Sequence, residues 1–159
     1  MRGTVFINYR RSDDAYAAAL LDSELCARLG AENVFRASRS IPPGADYEDA
    51  INAAIAESKV MLVLVGPRWA KSFRRRRRRD YVLEEIVEAT TRRIPLVPVL
   101  LADVEPLRAM RLPKELAPLK RRQYLRFGYR EVEQDAGYIA QELRRIADLR
   151  MSSAAASLS

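Results

Sequence analysis

The sequence predicts an α/β fold with three layers, in which helices cover both faces of a central, mostly parallel five-stranded sheet. Strand-like apolar segments alternate with amphipathic helical segments along the chain, and this order is typical of parallel sheets with helical crossovers. Residues 59–65 are almost entirely apolar, as expected of a strand that is buried on both faces in the middle of such a sheet. A length of 159 residues is most simply one domain, which we place at residues 1–150.

The first half of the chain supplies three strands and two helices. β-Branched and aromatic residues predict the first strand, and Ser12 and Asp13 are N-cap candidates for the helix that follows it. Apolar residues then recur at helical spacing as far as Gly30, a residue suited to a helix C-terminus. In order, the predicted elements are a strand at 4–9, a helix ending at 29, a strand at 33–36, a loop at 37–46 containing two prolines and a glycine, a helix at 46–56 and a strand at 59–65.

The second half supplies two more helices and two more strands. Pro95 and Pro98 indicate that the fourth strand lies nearer the sheet edge, because proline cannot donate a backbone hydrogen bond. Right-handed crossovers between these strands make the topology flavodoxin-like. In order, the predicted elements are a helix at 80–91, a strand at 94–101, an irregular stretch at 102–122, a strand at 123–127, a helix that includes 139–149 and a disordered tail at 151–159.

The composition excludes several kinds of chemistry. The chain has no histidine and a single cysteine, Cys26, so the usual general base, the usual zinc ligand and every Ser–His or Cys–His nucleophilic pair are absent. We therefore predict no metal site, no cofactor and a reaction that depends on carboxylates, hydroxyls and arginines. The sequence contains neither a signal peptide pattern nor an apolar run of the ~18 residues that a membrane span needs. Together with the single cysteine, these features predict a cytoplasmic protein that does not bind membranes.

The net charge of +7 is concentrated in one segment. Residues 74–79 are six consecutive arginines, and without them the 28 Lys and Arg residues fall to 22, against 21 Asp and Glu. No aromatic residues alternate with the arginines, which argues against base stacking and hence against a nucleic-acid partner. A solvated loop is the simplest interpretation. An acidic protein partner, nucleic acid, a membrane surface and attraction of an anionic substrate remain as alternatives.

Tyr81 and Glu85 form the candidate site. They stand four residues apart at the start of the predicted helix, so they lie on one helical face. Ligands of parallel α/β folds bind outside the carboxyl ends of the strands, and this helix follows the apolar third strand. An aromatic ring one helical turn from a carboxylate at that edge predicts a small-molecule site.

Four segments then resemble the Toll/interleukin-1 receptor (TIR) domain family over residues 4–148. Residues 6–11, Phe-Ile-Asn-Tyr-Arg-Arg, are similar to the Phe-Ile-Ser-Tyr-Arg-Arg box of bacterial members. Residues 40–44, Ser-Ile-Pro-Pro-Gly, resemble the loop after the second strand, and residues 63–69 and 94–100 resemble later segments of the family. Each segment alone is weakly specific, but their order and spacing make the resemblance specific.

The resemblance implies a flavodoxin-like fold and an activity toward NAD+. Many bacterial and plant TIR domains cleave NAD+ to nicotinamide and ADP-ribose, or to a cyclic ADP-ribose, in immune signalling or as toxic effectors. Their signature is Trp-x-x-x-Glu, which falls here on residues 81–85, so the implied catalytic residue is Glu85 rather than Glu84. Tyr81 stands where the family has tryptophan. NAD+ is the implied substrate, and no separate cofactor is required.

The resemblance also implies a set of contacts around Glu85. Substrate contacts are assigned to Tyr81, to Tyr9, to Arg10 as a partner for the pyrophosphate, to Ser38 of the loop after the second strand, and to Trp69, for which a packing role is the alternative. Ile41, Pro42, Pro43 and Gly44 of the same loop are the predicted self-assembly residues. The implied partners are other TIR domains, in a homo-oligomer or filament, and a separate sensor protein.

Two other functions stay open on the sequence alone. A TIR scaffold without catalysis would act only through contacts between TIR domains, and the tyrosine at position 81 is the feature that keeps this alternative open. A nucleic-acid-binding module driven by residues 74–79 is the third interpretation.

Overall fold

The structure is a computed structural model that describes residues 5–75 and 78–158, with side chains described as far as residue 148. Five strands form one sheet, and all neighbouring strands run parallel. They are β1 (Val5–Asn8), β2 (Val34–Phe35), β3 (Val60–Val65), β4 (Leu96–Leu101) and β5 (Leu125–Phe127). Their order across the sheet is β2-β1-β3-β4-β5, which confirms the flavodoxin-like prediction. Thr4, assigned to the first strand from the sequence, lies outside the described residues.

Strand β3 occupies the centre of the sheet, as its apolar sequence predicts. Leu62 pairs with Ile7 of β1 on one side and with Val97 of β4 on the other. Because side chains alternate along a strand, β3 contributes to two separate cores. Val60, Leu62 and Leu64 belong to the core on one face, and Met61, Val63 and Val65 belong to the core on the other.

Among the described residues, six α-helices complete the three layers. They are α1 (Arg11–Leu29), α2 (Ala37–Ser40), α3 (Tyr47–Glu57), α4 (Trp69–Ser72), α5 (Tyr81–Thr91) and α6 (Val132–Leu158). Helices α1 and α6 cover one face of the sheet, and α3 and α5 cover the other. Helix α2 is a single turn inside the segment 37–46, which the sequence predicts as a loop.

Residues 102–122 are more ordered than the sequence predicts. Two 3-10 helices, Leu107–Ala109 and Lys114–Arg121, occupy this segment, and the second one contains Pro118. Leu107, Leu116 and Leu119 are buried beside α5. The prolines prevent a regular α-helix, and burial of the three leucines holds the segment against the core.

The N-terminal end of α1 is fixed by a different residue from those that the sequence suggests, whereas its C-terminal end lies where the sequence predicts it. The backbone of Asp14 is not helical, and its side chain accepts a hydrogen bond from Ala17 N–H at 2.9 Å, so Asp14 caps the main body of the helix. Ser12 and Asp13, the predicted caps, instead lie in the first turn before this kink. Gly30 ends the helix as predicted, with φ of 93° and its N–H donated to Cys26 O.

Helix α6 continues to Leu158, through most of the segment for which we predicted a disordered tail at 151–159. Alanines 154–156 have high helix propensity, which accounts for this difference. Ser159 lies outside the described residues, and the division into a domain at 1–150 and a tail stays a prediction. Within 5–75 and 78–158, the helices are all too short or too polar to cross a membrane.

Candidate active site

A cavity of about 680 Å³ opens at the carboxyl end of β1, between the start of α1 and the start of α5. This is the sheet edge at which the sequence places the ligand site. Most of its wall residues carry polar or aromatic side chains. The lining includes Tyr9, Arg10, Arg11, Ala37, Tyr47, Arg79, Tyr81 and Glu85.

The first turn of α5 is anchored to the sheet by Arg10 and Asp80. Asp80 is the N-cap of α5 and accepts a hydrogen bond from Leu83 N–H at 3.3 Å. Nη2 of Arg10 donates to both carboxylate oxygens of Asp80, at 3.0 and 2.9 Å, and the Arg10 guanidinium lies 4.8 Å from the centre of the Phe73 ring. Only 5% of Arg10 is exposed. Although Arg10 lines the cavity as predicted, its charge is therefore used to position the helix.

Glu85 lies one turn further along α5, in contact with the end of β1. Nδ2 of the fully buried Asn8 donates to Glu85 Oε1 at 3.0 Å and to the carbonyl oxygen of Val82 at 3.2 Å. A carbonyl only accepts hydrogen bonds, so Val82 fixes the orientation of the Asn8 amide. Asn8 is therefore a donor to Glu85, which favours the ionised carboxylate.

The pKa of Glu85 is raised from 4.5 to about 7. Burial is the main cause, because removal from water disfavours the charged form, and the nearby carboxylates of Asp80 and Glu84 raise the pKa further. The hydrogen bond from Asn8 acts in the opposite direction. A carboxylate that changes charge near neutral pH, at the wall of a cavity, is a candidate for chemistry.

Two tyrosines form the aromatic wall next to Glu85. Tyr81 of α5 and Tyr47 of α3 meet edge to face, with ring centres 6.3 Å apart and planes at 80°. Arg79 lies over the Tyr81 ring at 4.7 Å from its centre. A second cavity of about 170 Å³ adjoins this wall, and Tyr47, Arg79, Tyr81 and Glu85 line both cavities. Tyr81 and Glu85 thus lie one helical turn apart and line the same cavities.

The loop after β1 is fastened to the loop after β3. Asp13 Oδ1 accepts a hydrogen bond from Arg68 N–H at 2.9 Å, and Nη2 of Arg68 donates to the Ser12 carbonyl at 3.0 Å. Gly66 permits this approach, since a Cβ atom there would lie 2.4 Å from Asp13 Oδ2. These contacts hold Ser12 and Asp13 in place, and the neighbouring Arg11 is exposed at the cavity wall.

Tyr9 connects the cavity to the segment after β2. Its hydroxyl lies 3.2 Å from Ser38 Oγ, which also accepts a hydrogen bond from Arg36 Nη1 at 2.6 Å. Tyr9 lines the cavity, whereas Ser38, a predicted substrate contact, lies outside the cavity lining and contacts Tyr9.

A buried carboxylate, Asp22 of α1, holds the same segment from the other side. Nε and Nη2 of Arg39 donate to Asp22 at 2.7 and 2.9 Å, and Nε of Arg36 donates to it at 2.8 Å. Burial alone would raise the pKa of Asp22, but the hydrogen bonds from Arg39, Arg36 and Cys26 outweigh it, and the pKa is lowered. Asp22 is therefore an anion with two cationic partners.

The predicted self-assembly residues, Ile41, Pro42, Pro43 and Gly44, follow this anchored segment. Ala45 N–H donates to Pro42 O at 3.2 Å, and Gly44 has φ of 86°, as at the third position of a type II turn. Pro42, Pro43 and Gly44 are exposed, and Ile41 is half-buried against the core. Outside the Glu85 cavity, they present a small apolar turn to solvent.

Trp69 does not reach the site. Its side chain is fully buried in the core on the α5 face and packs edge to face on Phe73, with ring centres 4.8 Å apart. The structure therefore places Trp69 in a packing role and away from both cavities, in contrast to the predicted substrate contact.

The sequence did not single out Asn8, Tyr47 or Arg79 as site residues. Asn8 lies inside the first-strand box, where an amide followed by aromatic and basic residues is a usable signal. Tyr47 begins a helix, and its apolar spacing with Ile51 indicates only packing. Arg79 is one member of the arginine run, of which Arg76 and Arg77 lie outside the described residues. In the described part of the chain, no group of three Cys, Asp or Glu side chains is arranged to hold a metal ion.

Comparisons with known proteins agree on one family. The sequence profile of the TIR domain family matches residues 5–143. A search of curated proteins finds no match to the chain.

Solved structures with the same fold have low sequence identity. A metazoan TIR-STING receptor from C. gigas, in complex with 2',3'-cGAMP, is 20% identical with a TM-score of 0.58, over 90% of this chain and 40% of that one. The TIR domain of the Toll-related receptor TRR-2 from Hydra magnipapillata is 18% identical with a TM-score of 0.58, over 92% of this chain and 98% of that one. The TIR domains of the activated Roq1 resistosome, which recognises the pathogen effector XopQ, are 18% identical with a TM-score of 0.50, over 91% and 83%.

Proposed function

This chain belongs to the TIR domain family, and from that premise we propose that it is an NAD+ nucleosidase with Glu85 as its catalytic residue. The observation that carries the proposal is the position of Glu85. Its carboxylate lies at the wall of a cavity of about 680 Å³, beside two tyrosine rings, with a pKa raised to about 7. A glutamate that only stabilises the first turns of a helix would not require burial or a hydrogen bond from a buried asparagine.

The reaction needs one anionic group. When the bond between the nicotinamide nitrogen and the ribose carbon breaks, its electron pair neutralises the positive ring, which leaves without a proton. Positive charge then develops on the ribose, and the ionised Glu85 carboxylate stabilises it. Water adds to the same ribose carbon and loses a proton, which gives ADP-ribose. Attack by an adenine nitrogen in place of water would give a cyclic product.

The remaining groups have separate parts in this proposal. Tyr81 and Tyr47 offer aromatic surface to the nicotinamide ring. Arg11 is the exposed cation available to the pyrophosphate, since Arg10 is bound to Asp80. Asn8 positions Glu85 and, by donating to its carboxylate, opposes the rise in its pKa that burial causes.

Self-assembly is the second part of the proposal. The turn at 41–44 presents exposed apolar residues and directly follows the segment that contains Ser38. Ser38 is hydrogen-bonded to Tyr9, which lines the cavity. A shift of this turn on contact with another TIR domain would therefore be transmitted to the cavity wall through that hydrogen bond. We propose that activity rises with protein concentration, that the assembly is a homo-oligomer or filament, and that a separate sensor protein starts it.

The test is release of nicotinamide from NAD+ by concentrated protein, followed by chromatography. Glu85→Gln should lower kcat by at least about a hundredfold, as expected for loss of the group that stabilises the transition state. Glu115→Gln, an exposed glutamate outside both cavities, is the matched control and should keep full activity. Equal turnover by wild type and Glu85→Gln would exclude the role of Glu85.

A non-catalytic scaffold is the alternative, and one observation favours it. Tyr81 has less aromatic surface than the tryptophan that the family has at this position, and Arg79 covers one face of its ring. In that case no nicotinamide is released at any concentration, while Pro43→Asp in the exposed turn abolishes self-association. Tyr81→Trp should increase kcat/KM several-fold if the protein is the enzyme, whereas a scaffold releases no nicotinamide with either residue at position 81.

A further inference from the structure

Arg79 occupies the surface that the proposed function assigns to the substrate. Its guanidinium carbon lies 4.7 Å from the centre of the Tyr81 ring, so it covers one face of that ring. Its Nε lies 3.2 Å from Glu84 Oε2, and its Nη1 donates to Glu48 of α3. The side chain thus links the N-terminal end of α5 to α3 at the wall that the two cavities share.

A guanidinium and a pyridinium ring are attracted to this place for the same reasons. Both are flat cations, and a flat cation over a tyrosine face is stabilised by the negative charge of the ring face. The nearby carboxylates of Glu48, Glu84 and Glu85 stabilise either cation. Two cations at one ring face repel each other and compete for the same area.

We propose that Arg79 controls access to Tyr81. Its guanidinium occupies the ring face on which the nicotinamide cation of the substrate stacks, and the substrate binds by displacing the guanidinium. The inference deepens the proposed function and rests on it, because it names the state of the site before substrate arrives. Arg79 is accordingly a specificity-determining residue, and Glu85 remains the catalytic one.

The contacts of Arg79 are of the kind that a ligand can replace. The side chain is 47% exposed, and its partners Glu48 and Glu84 are 52% and 48% exposed. Exposed ion pairs and exposed cation–π contacts are individually weak, since water competes for both. By contrast, Arg10 is 5% exposed and bound to Asp80, so it stays in place.

The neighbouring Arg78 provides a matched control. It is an exposed arginine one residue earlier, lines neither cavity, and carries the same charge. Arg78→Gln and Arg79→Gln therefore change the net charge equally, and only the second uncovers Tyr81. Melting temperatures of both variants verify that the fold is retained.

The experiment measures binding of 1-methylnicotinamide, a pyridinium cation without ribose or phosphate, by NMR titration of the isotope-labelled full chain. Arg79→Gln should bind it about tenfold more tightly than wild type, which corresponds to about 1.4 kcal/mol. Neutral nicotinamide should gain less than about twofold, because it gains less from a tyrosine face and from the carboxylates. Arg78→Gln should match wild type with both probes. For NAD+ itself, Arg79→Gln should lower KM.

Three results would overturn the inference. Weaker binding or a higher KM in Arg79→Gln would show that Arg79 holds the substrate. An equal gain in Arg78→Gln would show that the effect is one of net charge. No binding of 1-methylnicotinamide by any variant would show that the Tyr81 face does not accept a pyridinium ring. The ratio of affinities is measured without turnover, so it reports on Arg79 even where NAD+ is not cleaved and the proposed function fails.

Discussion

Replacing Glu85 with glutamine should stabilise the protein above pH 7 while it removes the proposed activity. Burial raises the pKa of Glu85 from 4.5 to about 7, so the folded protein holds this carboxylate in an unfavourable charged state at pH 8. Glutamine has nearly the same shape, lacks the charge and still offers an oxygen to Asn8 Nδ2. A group that destabilises the folded state and is nevertheless present is the pattern expected of a functional residue.

The size of the effect follows from the pKa. A shift from 4.5 to about 7 corresponds to roughly 3 kcal/mol at about 1.4 kcal/mol per pH unit. The side chain is partly exposed, which reduces the penalty, so we expect a gain of about 1–3 kcal/mol at pH 8. For a chain of this length, that corresponds to an increase in melting temperature of about 3–10 °C.

The stability difference between wild type and Glu85→Gln should depend on pH, in a direction that follows from the raised pKa of Glu85. Between the pKa of the unfolded chain, near 4.5, and about 7, the folded protein binds the proton of Glu85 while the unfolded chain has released it, so the wild type loses stability as pH rises through this window. Below this window both states are protonated, and the advantage of glutamine disappears. The difference between wild type and Glu85→Gln should therefore be at most about 1 kcal/mol at pH 5, at the low end of the window, and reach its maximum above pH 7.

Urea unfolding of both proteins from pH 5 to pH 8 measures this difference, in which the titration of groups that do not interact with Glu85 cancels. Glu115→Gln should stay within about 0.5 kcal/mol of wild type throughout, as expected of an exposed position. A Glu85→Gln variant that is less stable than wild type at pH 8, or a difference that does not change with pH, would refute the reasoning from burial.

Three further predictions concern the supports of the site. Asn8→Ala removes the donor that favours the ionised form of Glu85, so the midpoint of the pH dependence of kcat/KM for nicotinamide release should rise by about half to one pH unit; an unchanged midpoint would exclude a positioning role. Arg10→Ala leaves Asp80 without its buried partner and should cost about 3 kcal/mol in urea unfolding, whereas a residue that only contacts substrate would cost nothing. Asp22→Asn should cost about 2–3 kcal/mol at pH 7. Because the pKa of Asp22 is lowered, its contribution is present above about pH 4 and should be lost only as pH falls through its lower folded value, as acid titration of unfolding would show.

Local sequence patterns determined most of the fold. The apolar run of β3 needs burial on both faces, and helical spacing in α1, α3 and α5 needs one face against a sheet. These requirements act over a few residues, so they can be recognised without knowledge of the rest of the chain. The same applies to Gly30, whose positive φ ends α1, and to the pair Tyr81 and Glu85, whose spacing alone places both on one helical face.

The environment of each side chain was decided by tertiary structure. Nothing near position 10 in the sequence shows that Asp80 will bind Arg10, since the two residues meet only when β1 and the start of α5 come together. The pKa of Glu85 likewise depends on Asn8, 77 residues earlier, and on burial that only the packed fold produces. Arg79 is one arginine in a run of six until α3 brings Glu48 beside it. The sequence by itself determined which residues the chain carries to this edge of the sheet, and the tertiary structure decided which of them are charged, engaged or exposed there, because burial and long-range pairing set those properties.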